Sequence, residues 1–283
     1  MTGLLFLGGC AQDESLQRTT PEKAEPTTEV APSASASFKT SGAPPIRAVS
    51  AILIDARTGK TLYEKNADEP RQVASTQKLV TALIVAEEDP LDSSVTIDRA
   101  DTMVEPTKVG IRAGETYPRR QLLRAMMVKS ANDCAVALAR SHSRSISEFA
   151  GEMNRYARLC GATCSHFVNP HGLPADQHST ARDMARIAFR AYRNPVLREA
   201  MAMRSFCFHY ASGRLYFLEP TDKLLLRDPF CNGMKTGYTE AAGKCLISSY
   251  SRNNRELILV QLGSHSPVIF DDAERMLQWG INR

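Results

Sequence analysis

Three groups of residues in this chain have the types and spacing for nucleophilic chemistry. The first is Ser75-Thr76-Gln77-Lys78, which opens the apolar run from Leu79 to Ala86. That run is too short to span a membrane and apolar on every side, so it predicts a buried helix. A serine at its start lies beside free backbone N–H groups and the positive end of the helix dipole. Lys78, three residues on, shares the same face and can take the hydroxyl proton if burial lowers its pKa. The second group is Ser130-Ala131-Asn132, a polar knot between two apolar helical runs. The third is Lys235-Thr236-Gly237, on a predicted strand. Each alone is common, and Ser75 with Lys78 would then be a helix cap beside a solvated lysine. Together they supply a nucleophile, a base, a second hydroxyl, an amide and a further cation. Another S-x-N, Ser251-Arg252-Asn253, sits in a hairpin after the third group, and that position excludes it from the role.

The elements that must carry these groups follow from hydrophobic period. Ile46–Asp55 and Lys60–Tyr63 read as strands around a turn at Gly59. Residues 90–118 are polar and broken by Pro and Gly. Leu122, Leu123, Met126 and Met127 give a helix before Ser130, and Cys134–Arg140 one after it. Phe149, Ala150, Met153 and Ala157 mark another helix, stopped at Gly161. Ser179 or Thr180 caps the next, with Met184, Ile187, Ala188 and Ala191 inward, and Pro195 begins a short one. Strands follow at Ser205–Tyr210, Leu215–Leu218, Cys231–Thr236, Lys244–Tyr250 and Glu256–Leu262. A closing helix, Phe270–Trp279, turns Phe270, Ala273, Met276 and Leu277 inward. The fold class is α+β: strands from both ends join one antiparallel five-stranded sheet flanked by helices, with a helical block beside it.

Composition is ordinary for a globular protein, 43% hydrophobic and 23% charged over 283 residues. Residues 11–45 hold five acids and three bases, so of the net +4 the remainder carries +6. Arg182, Arg186, Arg190 and Arg193 read as solvated helix faces, and no nucleic-acid motif is present. Residues 11–45 are rich in Pro, Ser, Thr and Ala and cannot bury enough surface to order themselves, so they predict a disordered tether. Residues 1–10 end in Leu7-Gly8-Gly9-Cys10, which resembles a bacterial lipobox, although no basic n-region precedes it. The expectation is a signal remnant with Cys10 as lipidation site, an exported, envelope-located chain anchored to a membrane by that lipid, and a folded domain over residues 46–283. Six further cysteines permit disulfides in such a compartment, and buried free thiols are the alternative.

The order and spacing of the three groups resemble the low-molecular-mass penicillin-binding proteins, the serine D-alanyl-D-alanine carboxypeptidase and endopeptidase family. Ala74-Ser75-Thr76-Gln77-Lys78 is similar to the family's nucleophile motif, and Lys129-Ser130-Ala131-Asn132-Asp133 to its second motif. Residues 167–173, residues 179–184 and Asn232–Gly243 resemble further family segments. The resemblance covers about residues 47–280, with no sequence left for the C-terminal β domain that many members carry.

The resemblance implies the following roles. Ser75 attacks the carbonyl of a penultimate D-Ala in a peptidoglycan stem peptide, and Lys78, kept neutral by burial and by Lys235, is its base. Ser130 passes the proton to the leaving nitrogen and Asn132 holds the peptide. Lys235 and Thr236 bind the terminal carboxylate, Gly237 lets substrate lie along the strand, and the N–H groups of Ser75 and Tyr238 form the oxyanion hole. β-Lactams would acylate Ser75, and no cofactor or metal is needed. Two features depart toward the family's endopeptidases: residues 266–270 lack an arginine found there in many carboxypeptidases, and the run Ala241–Leu246 is more endopeptidase-like. A β-lactamase would need a glutamate-bearing E-x-x-L-N loop, which is not found. A zinc peptidase built on His166, His171, His178 and Asp176 lacks ligand spacing. An inactive wall-binding domain would need a broken motif.

Overall fold

The computed structural model describes residues 42–265 and 267–283. The expectations for residues 1–10, for the tether up to residue 41 and for Cys10 fall outside the described residues.

β1 (Ser50–Asp55) and β2 (Thr61–Lys65) form a hairpin. A 3₁₀ turn, Ala74–Gln77, leads into α1 (Lys78–Glu88). The stretch that reads as irregular holds a small ribbon, β3 (Ser94–Thr96) with β4 (Thr116–Pro118). Strands of three residues are too short for an alternation to register in sequence. The helical block is α2 (Arg119–Val128), α3 (Asn132–His142), α4 (Ile146–Leu159), α5 (Ala181–Arg193) and α6 (Pro195–Met201). The Thr180 hydroxyl caps α5 by accepting the Asp183 N–H at 3.0 Å. A second ribbon, β5 (Phe206–His209) with β6 (Leu215–Leu218), is followed by the short α7 (Lys223–Arg227). Then come β7 (Cys231–Thr239), β8 (Gly243–Arg252), β9 (Arg255–Ser264) and α8 (Ile269–Ile281).

The main sheet has the order β2-β1-β9-β8-β7, antiparallel at every pairing. Strands from both ends of the chain therefore meet at its centre. Asn253 and Asn254 join β8 to β9 with φ of 54° and 57°, the two left-handed residues of a type I′ turn. Side chains alternate across the sheet: Leu257 and Leu259 of β9 pack on α8, while Ile258, Val260 and Leu262 face the helical block. α1 lies within that block with Leu79, Val80, Leu83, Ile84 and Val85 buried.

One open alternative is decided and two expectations are corrected. The six described cysteines are all free thiols, Cys134, Cys231 and Cys245 buried. The arginines read as solvated faces are largely ion-paired: Arg182 to Glu64 and Asp68, Arg186 to Asp183, Arg190 to Glu87. Phe270 is only partly buried, unlike Ala273, Met276 and Leu277, because it sits where α8 begins beside an open cleft.

Candidate active site

Ser75 lies one turn before the α-helix proper. In a 3₁₀ turn residues i and i+3 eclipse, so Ser75 and Lys78 stack more closely than on an α-helix. The Lys78 Nζ is 2.8 Å from the Ser75 hydroxyl oxygen, 2.7 Å from Asn132 Oδ1 and 2.6 Å from the His171 carbonyl oxygen. The Ser75 hydroxyl is also 3.1 Å from that carbonyl, so its proton has two acceptors in reach. Lys78 is completely buried. Burial holds its pKa well below the ordinary lysine value, and the nearby Lys235 charge lowers it further. A neutral amine beside a serine hydroxyl can act as a base.

Ser130 follows the C-cap of α2 with a φ of 64°, in the left-handed position usually given to glycine. Strain of this kind, about 1 kcal/mol or more, is held only where the surroundings fix it. Here Lys235 donates to the Ser130 hydroxyl at 2.9 Å. Asn132 begins α3, buried, and its N–H donates to the Thr107 carbonyl at 2.8 Å. Next to it the Asp133 carboxylate accepts the N–H groups of Val109, Gly110 and Ile111 at 3.3, 2.8 and 3.4 Å, and that of Cys134 at 2.9 Å. It fastens the 107–111 loop to α3.

The third motif lies on β7, at the edge of the sheet. Lys235 is buried, and its amine also donates to the Thr236 carbonyl at 2.9 Å. Burial brings its pKa down to about 7, opposed by the Asp222 carboxylate. Thr236 shares a hydroxyl–hydroxyl hydrogen bond with Thr221. Gly237 has a reason beyond room for substrate: a Cβ there would stand 2.8 Å from the Ser75 backbone nitrogen and 3.0 Å from the Ala74 Cβ. The missing side chain lets the strand close against the turn that carries the nucleophile.

A cleft of 590 Å³ opens over this edge. Ser75, Ser130, Thr236, Gly237 and Tyr238 line it, and Tyr238 is exposed. Lys78, Asn132 and Lys235 stand behind the wall, joined to it through Ser75 and Ser130. All eight expected residues of the folded part are thus brought to one place.

Several site residues escaped the sequence reading. The His171 carbonyl is a backbone group and has no residue signature. Its loop is held by the buried Gln77, whose amide donates to the Asn169 carbonyl at 2.6 Å and to Gln177 Oε1 at 3.1 Å. Gly172, at a φ of 87°, presses on the nucleophile turn so closely that a Cβ would lie 2.1 Å from the Ala74 carbonyl oxygen. The partly buried His171 imidazole is pushed down to about 3 by desolvation and then by Lys78. Gly172 was the one legible signal, inside a segment singled out only by resemblance.

Residues 37–266 match the sequence model of Peptidase_S11, D-alanyl-D-alanine carboxypeptidase. Among curated relatives, a D-alanyl-D-alanine carboxypeptidase, DacB2, of Mycobacterium tuberculosis is 33% identical over 237 residues, covering 81% of each chain. A D-alanyl-D-alanine endopeptidase of Escherichia coli is 30% identical, covering 86% of this chain and 80% of that one. The chain spans only 58% and 65% of two longer carboxypeptidases, from Bacillus subtilis and Escherichia coli. A solved D-alanyl-D-alanine carboxypeptidase from Mycobacterium tuberculosis superposes with a TM-score of 0.81 at 31% identity, over 90% of this chain and 97% of that one. With a serine, a buried lysine and a lysine-bearing strand edge meeting in that fold, the chain belongs to the S11 family of D-alanyl-D-alanine carboxypeptidases, serine hydrolases of the low-molecular-mass penicillin-binding class.

Proposed function

We propose that this chain hydrolyses the D-alanyl-D-alanine end of peptidoglycan stem peptides through an acyl-enzyme on Ser75, and that β-lactams acylate the same oxygen. The observation that carries this is the fully buried Lys78 amine 2.8 Å from the Ser75 hydroxyl. Lys78 takes the hydroxyl proton as Ser75 Oγ attacks the carbonyl carbon. The oxyanion is met by the N–H groups of Ser75 and Tyr238, both residues of the cleft wall. Ser130, its hydroxyl tied to Lys235, gives a proton to the departing nitrogen. Water then attacks the ester, returning Ser75 and the shortened peptide. Asn132 shares its side-chain oxygen with Lys78 and offers its amide to the bound peptide.

The test is labelling with a fluorescent penicillin. Wild type is expected to label and Ser75→Ala to lose the label; a label that persists removes Ser75 from the role. A second reading, cleavage of cross-links, is favoured by the lack of arginine in residues 266–270 and by the endopeptidase relative. Purified muropeptides separate the two: loss of one alanine from monomers marks a carboxypeptidase, and dimers becoming monomers mark an endopeptidase.

The same proposal extends to location. Leu7-Gly8-Gly9-Cys10 and the Pro/Ser/Thr-rich stretch after it support an exported, lipid-anchored chain facing the periplasm. Radiolabelled palmitate incorporation lost in Cys10→Ala is the expected outcome; incorporation unchanged by that substitution overturns it.

A further inference from the structure

The lysine of the third motif is badly placed to hold a substrate carboxylate alone. Its amine is buried, turned to Ser130 and to its own strand's carbonyl, and absent from the cleft wall. Three other cations line that wall: Lys223, Arg227 and Lys244. Arg227 is committed to Asp271 at 2.8 Å and Glu274 at 2.7 Å. Lys223 is exposed on the short α7. Lys244 is half-buried, stands 5.4 Å over the Tyr238 ring, and has no carboxylate partner among the described residues.

Register decides where Lys244 points. On β7 and β8, Thr236 pairs with Leu246 and Tyr238 with Lys244, an unbroken alternation from Met234 to Thr239. Lys244 and Thr236 therefore share a face as diagonal neighbours, about 7–8 Å apart at the backbone and within the span of a lysine side chain. Gly237 and Cys245 share the opposite face, toward the Ser75 turn. Pro267, Ile269 and Phe270 add an apolar patch to the same cleft, beside Thr221 and the Arg227–Asp271 pair. A hydroxyl, a free ammonium and an apolar patch on one side of a reactive serine suit a small group bearing a carboxylate.

We infer that Lys244 is the specificity-determining cation of this cleft: with the Thr236 hydroxyl it binds the carboxylate on the carbon that bears the departing nitrogen. This deepens the acyl-transfer reading and rests on it for the identity of the ligand. Lys244 thereby occupies the part that an arginine ahead of α8 would otherwise take. A carboxypeptidase substrate and a cross-link whose leaving amine lies next to a free carboxylate would both use it.

The test separates recognition from chemistry. In a Ser75→Ala background, calorimetry compares a diacetyl-L-Lys-D-Ala-D-Ala peptide with its C-terminal amide. The acid is expected to bind about 10- to 100-fold more tightly, the size of one charge-assisted hydrogen bond. Lys244→Ala should erase that preference without weakening amide binding, and Lys244→Arg should keep it. A preference that survives Lys244→Ala, or that is absent in the parent, overturns the inference. Failure of Ser75 to take a penicillin label would instead remove the acyl-enzyme and leave the acid-over-amide preference as its own measurement.

Discussion

Two lysines within one buried site cannot both be charged at little cost, and their different surroundings set different roles. Lys78 has three neutral oxygens at its amine and feels the Asp133 charge beyond them, whereas Lys235 feels Asp222. Desolvation lowers both, Lys78 with the added push of its neighbour's charge. Acylation should therefore rise with pH as Lys78 loses its proton, then fall as Lys235 loses its own at about 7. Lys235→Arg, whose side chain keeps its proton, is expected to move the alkaline fall above pH 9. The second-order rate of penicillin acylation between pH 5 and 10 checks this. An unmoved alkaline limb would assign it to another group. Lys78→Ala should lower the same rate at least 10³-fold, on the scale of losing a general base.

At the level of elements, the site is a meeting of three backbones that need glycine or acid at fixed points. Gly172→Ala would drive a methyl into the Ala74 carbonyl and is expected to destabilise the fold by about 3 kcal/mol or more, read by urea denaturation. Asp133→Ala would strand the buried N–H groups of Val109 and Ile111 and release that of Gly110, with an expected loss of about 2–3 kcal/mol. Asp133→Asn, keeping one acceptor, should lose less. The motif residues were legible in the sequence because each is a side chain with a chemical type and a position on a predictable element. The helix after Ser75, the strand at Lys235 and the final hairpin were legible because the period was strong. The His171 carbonyl, the Gln77 amide clamp and the role of Gly237 as a spacer were not, because each depends on contacts between segments far apart in the chain. The ion pairs of Arg182 and Arg190 were missed for the same reason: their partners Glu64, Asp68 and Glu87 lie far away in the chain.

For the whole molecule, the buried amines are a load on stability that the two apolar layers must carry. Lys235→Met, similar in length and apolar, is expected to stabilise the protein by about 1–3 kcal/mol while lowering acylation. The sign with pH follows from the folded value of about 7 against about 10.4 in the unfolded chain. Between these, the unfolded chain binds more protons at this residue, so wild-type stability gains with rising pH and the advantage of Lys235→Met shrinks. Urea denaturation of both proteins at pH 6.5 and 9 measures it; an advantage that grows with pH would contradict the lowered value. The strand order adds a further consequence, one of timing. β1 lies between β2 and β9, so a strand made near residue 50 waits for one ending at Ser264. During synthesis Ser75 and Lys78 emerge well before the strand edge that confronts them and the partner that anchors β1. A nascent chain still short of β9 therefore carries its nucleophile without the strand that joins β1 to the rest of the sheet.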